Sequence, residues 1–173
     1  ILEPAGTHAP EKSFLERVRE LCNQYGVILI FDEIVTGFRV DMGGAQRKYG
    51  VTPDLATFGK AMANGMPIST IVGKRKIMKL MDDIFFSGTF AGETLSLAAA
   101  LATITKLEKK NAPEVYEHSG RTIRNAVQSI INDFELDDIV RMAGVDWWPR
   151  IVVEAYGKNS QIEMITLLRQ ELI

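Results

Sequence analysis

Val27-Ile28-Leu29-Ile30-Phe31-Asp32-Glu33 is five apolar residues without a break, closed by two acids. An apolar run of that length without alternation is the pattern of a strand covered on both faces. Upstream, Phe14, Leu15, Val18, Leu21 and Cys22 recur at helical spacing within residues 11–25, with charged residues between them. This predicts an amphipathic helix lying on the sheet, and Gly26 falls where a left-handed residue would close it. Downstream, Leu55 to Phe58 and Ile68 to Val72 read as short strands, with a helix beginning near Lys60. Helices interleaved with buried strands predict an α/β layered sheet.

Further along, Glu93 to Lys109 turns helical, with Ala98-Ala99-Ala100 allowing close packing, and the pattern then becomes more charged. Residues 119–133 predict another amphipathic helix through Ile123, Ala126, Val127, Ile130 and Ile131, and Pro149 to Tyr156 predicts a strand. We therefore expect a first domain over residues 1–108 and the start of a small α+β domain over 109–173. Both ends look cut: Ile1-Leu2-Glu3-Pro4 resembles the end of a buried strand, and Leu167 to Ile173 stops inside a helical pattern. The expectation is a piece of a longer protein.

Composition narrows the function classes. With 20 Lys and Arg against 22 Asp and Glu, the net charge of −2 provides no field to attract nucleic acid or an anionic membrane. The longest apolar runs fall far short of the ~20 residues of a membrane helix. Cys22 is the only cysteine, which excludes an intrachain disulfide and fits a reducing, cytoplasmic setting.

Three places could carry chemistry. Asp32-Glu33 stands at the carboxyl end of a buried strand, where open α/β sheets bind ligands. A carboxylate there could hold a magnesium ion, act as a general base or pair with a cationic ring nitrogen, or it could simply cap the next turn. Lys60 follows a short apolar strand and Gly59; held partly desolvated, it could act as an amine nucleophile toward an aldehyde, although most such lysines are only solvated. Ser87-Gly88-Thr89-Phe90-Ala91-Gly92 is a hydroxyl-rich turn ahead of a helix that could hold a phosphate or serve as an ordinary N-cap. An acid, a lysine and a phosphate turn are together the parts a pyridoxal-phosphate enzyme needs.

The run from Leu29 to Arg39, Leu-Ile-Phe-Asp-Glu-Ile-Val-Thr-Gly-Phe-Arg, resembles the motif of class III pyridoxal-phosphate-dependent aminotransferases, and Pro53 to Lys60 resembles their lysine motif. Gly43-Gly44-Ala45-Gln46 and Gly88-Thr89-Phe90-Ala91-Gly92 are similar to the glutamate-1-semialdehyde 2,1-aminomutase branch. The resemblance runs from about Glu3 to Lys106. It implies a fold-type-I transferase, part of whose large-domain sheet is followed by the start of the small C-terminal domain. It implies amino-group transfer, by a transaminase or an aminomutase, between an amino donor and a carbonyl acceptor. Asp32 would bind the pyridine nitrogen, Ile34 would pack on one ring face, and Lys60 would form the Schiff base and move the proton. Gly88 and Thr89 would contact the phosphate of the neighbouring subunit's cofactor, which implies a homodimer with its site at the interface. The family's upstream phosphate turn and stacking aromatic residue have no counterpart here, and the loop from Ala5 to Ser13 is shorter than in the typical aminomutase.

Other residues carry bland readings. His8 and His118 have no partners at metal-ligand spacing, Cys22 reads as core, Trp147-Trp148 as packing residues or the lining of a pocket or interface, Glu93 as a helix cap or a contact of the phosphate turn, and Arg39 as one half of an ion pair or a contact for a substrate carboxylate. Two rivals to the enzyme are a non-catalytic relative acting in assembly or regulation, and an incomplete piece of the fold with open sheet edges. A third is a magnesium site at Asp32-Glu33 in a phosphotransfer domain.

Overall fold

The computed structural model describes residues 1–172, in two compact units, one over Ile1–Val115 and a second from Tyr116 on. In the first unit, helix α1 (Phe14–Tyr25) buries Leu15 and packs Val18 and Cys22 against the core. Gly26 ends it at φ 64 and ψ 28, donating its amide to Cys22 O. This is the left-handed cap expected from the sequence.

The sheet of this unit has the order β1 (Ile30–Asp32), β2 (Leu55–Phe58), β3 (Thr70–Gly73). β1 and β2 run parallel with Ile30 opposite Leu55, Phe31 opposite Ala56 and Asp32 opposite Thr57. β3 pairs antiparallel to β2. On the other edge of β1, Leu2 forms a parallel bridge to Phe31, exchanging bonds with Ile30 O at 2.9 Å and Asp32 N at 2.8 Å. Leu15, Leu29, Phe31, Ala56 and Phe58 are buried together with Met62 and Ala100.

β1 and the element at Lys60 are shorter than their sequence predicts. β1 starts at Ile30 because the residues before it are still engaged in closing α1: the Val27 amide returns to Cys22 O at 2.8 Å, and Val27 and Ile28 are 56% and 50% exposed. The helix expected at Lys60 is a single 3-10 turn, Lys60–Met62. Positive φ at Lys60 (37°), Asn64 (48°) and Gly65 (109°) bends the chain too often for a longer helix.

Short helices α2 (Gly44–Lys48) and α3 (Arg75–Met78) follow β1 and β3 respectively, and α4 (Thr94–Lys109) ends the part of the unit that carries the core. Helix α5 (Ala112–Asp133) is longer than the predicted 119–133 and contains the division between the two units.

In the second unit β4 (Val140–Val145) and β5 (Trp148–Val153) form an antiparallel hairpin, followed by α6 (Gln161–Glu171) behind a Ser160–Glu163 capping box. The sequence did not announce β4, because Arg141 and Gly144 interrupt its pattern and Asp146-Trp147 is not a usual hairpin dipeptide. Asp146 accepts from Arg121 Nε and Arg124 Nη1, both at 2.9 Å, tying the hairpin turn to α5. At Gly120 a Cβ would overlap the Asp146 carbonyl oxygen, so only glycine permits this approach. Trp147 is buried, as its packing role requires.

The Asp54 carboxylate locks one end of the first unit's sheet. It takes the Leu29 amide ahead of β1 at 2.7 Å, Arg19 of α1 at 2.8 Å and Lys74 after β3 at 2.5 Å. Burial works to raise the Asp54 carboxyl, but the hydrogen bonds from Lys74, Leu29 and Arg19 outweigh it and hold the group well below the usual carboxylate range. A carboxyl depressed in the folded state stabilises the fold above its unfolded value of about 4, and that contribution is lost as pH falls toward the folded value. Asp54→Asn should therefore lower the unfolding free energy by about 2–4 kcal/mol at pH 7, since Arg19 is left paired to nothing ionic at Asp54. In urea titrations the gap between variant and parent should narrow as pH drops from 5 to 2; a gap independent of pH would contradict this assignment.

Candidate functional site

Parallel pairing delivers β1 and β2 to the same end of the sheet, so Asp32 and the Gly59-Lys60 turn emerge side by side. Asp32 is half-buried. Its Oδ1 accepts the Ile34 amide at 3.1 Å and the Thr57 hydroxyl at 3.3 Å. Both bonds fall on Oδ1, and Oδ2 takes neither. A carboxylate held by one oxygen suits a cationic N–H donor at the other.

Ile34 lies over the start of the lysine turn: a Cβ on Gly59 would be 3.7 Å from Ile34 Cγ2 and 3.9 Å from Ser69 Cβ. The backbone of Gly59 is extended, at φ −167 and ψ −144, and Lys60 then adopts φ 37. Lys60 is exposed rather than desolvated by this chain, so its amine is open to a carbonyl reagent. Asp32, Ile34 and Lys60 are thus gathered in one place.

Glu33 takes a different part, which the sequence pair Asp32-Glu33 does not disclose. Successive strand residues point to opposite faces, and Glu33 is 0% exposed. Its carboxylate accepts the Ala45 amide at 2.8 Å, the Gln46 amide at 2.9 Å and the Thr36 hydroxyl, capping α2 from within. Gly44, at φ 72, leaves room for it; a Cβ there would sit within 2.7 Å of the carboxylate. Gly37 closes the same loop onto β2, where a Cβ would meet the Phe58 ring at 2.7 Å and Glu33 O at 2.8 Å. Phe38 stacks obliquely on Phe58 with ring centroids 5.7 Å apart. Because Glu33 spends its oxygens inside the fold, the two acids do not form a joint metal site. Among the described residues no group of three or more His, Cys, Asp and Glu side chains could hold a metal ion.

Gly88 and Thr89 lie near the residues that flank the Lys60 turn. They line a cleft of about 610 Å³ with Met62, Ser69, Thr70 and Glu93, and neither Asp32, Ile34 nor Lys60 is in its wall. Glu93 is the N-cap of α4: its carboxylate accepts the Leu95 and Ser96 amides, each at 2.7 Å. Those two amides are therefore committed within the chain, and an anion at this turn would meet the backbone and hydroxyl of Gly88-Thr89. No helix among the described residues is long and apolar enough to cross a membrane.

Residues 1–157 match the family model described as Aminotransferase class-III. The chain is similar to a 3-aminobutyryl-CoA aminotransferase of Cloacimonas acidaminovorans, with 43% identity over 168 residues, which is 96% of this chain and 39% of that protein. It is also similar to a glutamate-1-semialdehyde 2,1-aminomutase of Desulfatibacillum aliphaticivorans, with 36% identity over 151 residues, covering 83% of this chain and 36% of the relative. Among solved structures, a transaminase with PLP bound aligns at a TM-score of 0.84 and 26% identity, over 95% of this chain and 40% of that one. The chain thus spans about two-fifths of the length of the proteins it resembles.

Removing the Glu33 clamp tests its structural role. Glu33→Ala leaves two amides and a hydroxyl unpaired in the interior, and should cost about 3–5 kcal/mol in chemical unfolding while opening residues 34–46 to limited proteolysis. Parent-like stability and an uncut loop would show that these bonds do not hold the segment.

Proposed function

The chain belongs to the class III aminotransferases, and from that membership we propose that it forms part of a pyridoxal-phosphate site for amino-group transfer. Relatives named as an aminotransferase and as an aminomutase make transfer between two molecules, or within one, the reaction class. The fold is the α/β fold-type-I architecture of PLP-binding transaminases. Residues 1–108 serve as part of the cofactor-binding large domain, and 109–173 begin the small domain.

One observation carries the reading: the parallel register of β1 and β2 puts Asp32 beside the strand that runs into Gly59-Lys60, with Ile34 against Gly59. The residues fit the cofactor. Asp32 Oδ2 is the oxygen left for a protonated ring nitrogen, Ile34 offers an apolar side chain for a ring face, and the exposed Lys60 amine is accessible to an aldehyde. Pyridoxal phosphate, when bound, supplies an electron sink that takes up charge developing on a substrate carbon. Asp32 keeps the ring nitrogen protonated by a charge-assisted hydrogen bond. Lys60 Nζ would hold the cofactor through its aldehyde carbon and, as a free amine, would act as the base that takes up and returns the substrate's proton.

Gly88 and Thr89 are assigned to the phosphate of a cofactor in a neighbouring subunit. The exposed apolar side chains around this turn, Phe86, Phe90 and Leu95 among them, favour that division of labour and hence a homodimer with its site at the interface. The partners are a small amino donor and a carbonyl acceptor, and the single cysteine supports a cytoplasmic setting.

Covalent trapping tests the lysine. The chain incubated with pyridoxal phosphate and then with borohydride should carry one label, on the peptide containing Lys60, and Lys60→Ala should lose it. Label spread over surface lysines, or retained in Lys60→Ala, would overturn the assignment. Asp32→Asn should keep the far-ultraviolet spectrum of the parent and the Lys60 label, yet slow half-transamination of the loaded chain by about 10²–10³-fold. A rate within threefold of the parent would remove Asp32 from its role.

A further inference from the structure

Resting on the reading of Asp32 as the ring-nitrogen partner, we propose that Thr57 is a positioning residue that turns the Asp32 carboxylate so that Oδ2 is presented to the cofactor. Asp32 and Thr57 are register partners in a parallel pair, and partners in such a pair project their side chains to the same face of the sheet. The Thr57 hydroxyl donates to Asp32 Oδ1 at 3.3 Å, and the Ile34 amide donates to the same oxygen at 3.1 Å. One donor leaves a carboxylate free to swing about its Cβ–Cγ bond. Two donors approaching one oxygen from different segments restrict that rotation and keep the second oxygen in a constant place.

Thr57 is itself well held. Its carbonyl accepts the Glu33 amide at 3.0 Å, so the parallel ladder continues past Asp32. Its neighbours Ala56 and Phe58 are buried on the opposite face, while Thr57 is half-buried on the side of Asp32. A threonine here is restricted at χ1 by its branched Cβ, which aims a single hydroxyl with little loss of rotamer freedom on forming the bond. Valine would have the same outline and strand preference without the donor. The function of the hydroxyl can therefore be separated from the packing of the strand.

The test compares the parent chain with Thr57→Val and Thr57→Ser, using pyridoxal phosphate itself as the probe. Thr57→Val should weaken cofactor affinity, read by absorbance titration, about threefold to tenfold, with an unchanged thermal midpoint. Thr57→Ser, which restores a hydroxyl, should bind within twofold of the parent. Independently of cofactor, side-chain NMR couplings of Asp32 should report one rotamer in the parent and in Thr57→Ser, and averaged rotamers in Thr57→Val. Parent-like affinity and a single Asp32 rotamer in Thr57→Val would overturn the proposal, as would a serine variant that behaves like the valine one. A parent chain that carries no label at Lys60 would count instead against the site assignment from which Asp32 takes its role, and the rotamer measurement would still decide whether Thr57 orients Asp32.

Discussion

The parallel pairing of β1 with β2 is the constraint on which the site depends, because it alone makes two segments that are 28 residues apart in sequence, Asp32 and Lys60, leave the sheet at one end. The pair is held at both extremities. At the amino end Asp54 gathers the Leu29 amide, Arg19 and Lys74 onto one carboxylate, and its own amide bonds Leu29 O at 2.8 Å. At the carboxyl end the Glu33 amide reaches Thr57 O, and the Thr57 side chain reaches Asp32. A slip of one residue would turn Asp32 to the other face and Glu33 toward the ligand side. The register is thus a chemical specification as well as a structural one.

Adjacent acids illustrate how a strand divides labour. Asp32 takes the Ile34 amide and the Thr57 hydroxyl on one oxygen, whereas Glu33 is wholly enclosed and accepts from Thr36, Ala45 and Gln46. Burying a carboxylate is costly unless several donors meet it, and the tight loop from Ile34 to Gly43 exists to bring those donors round. Gly37 and Gly44 are the places where that loop comes too close to Phe58 and to the carboxylate to admit a side chain. Ile34 is carried into position against Gly59 by the same folding of the loop. The buried Glu33 and the position of Ile34 beside Gly59 are therefore coupled through a dozen residues of backbone.

Much of this was legible in the chain itself. The amphipathic α1, its Gly26 cap and β2 follow from period and glycine placement, and the Glu93 cap follows from its position ahead of α4. The register that brings Asp32 and the Lys60 turn to one end of the sheet agrees with their pairing in the sequence reading. What could not be read is long-range: the Asp54 node draws on residues 19, 29 and 74, and no local pattern marks them as neighbours. Nor does any local pattern mark Thr57, whose interest comes only from the register that sets it opposite Asp32. β4 escaped because a strand paired through Gly144 and Arg141 lacks an apolar signature, and α5 outran its apolar pattern because Ala112 to His118 is helical without a continuous apolar stripe.

Gly88 and Thr89 reach their cleft beside Met62, Ser69 and Thr70 only by a long path after β3. The antiparallel strand returns past Asp54 to the opposite end of the sheet, α3 and a 3-10 turn over Lys79–Asp83 follow, and only then does the chain reach the turn before α4. Along this path Phe85, Phe86 and Phe90 are 97%, 66% and 59% exposed, and Leu95 and Leu101 of α4 are 64% and 71% exposed. So much apolar area around one hydroxyl-bearing turn is the character of a surface that is covered in the assembled protein. The proposed homodimer would place this turn against a second copy of the chain. In the proposed site Asp32, Ile34 and Lys60 take the complementary part, the ring end of the cofactor. On the proposed reading the two ends of one cofactor are divided between a sheet edge of one copy and the turn of another, and chemistry requires association.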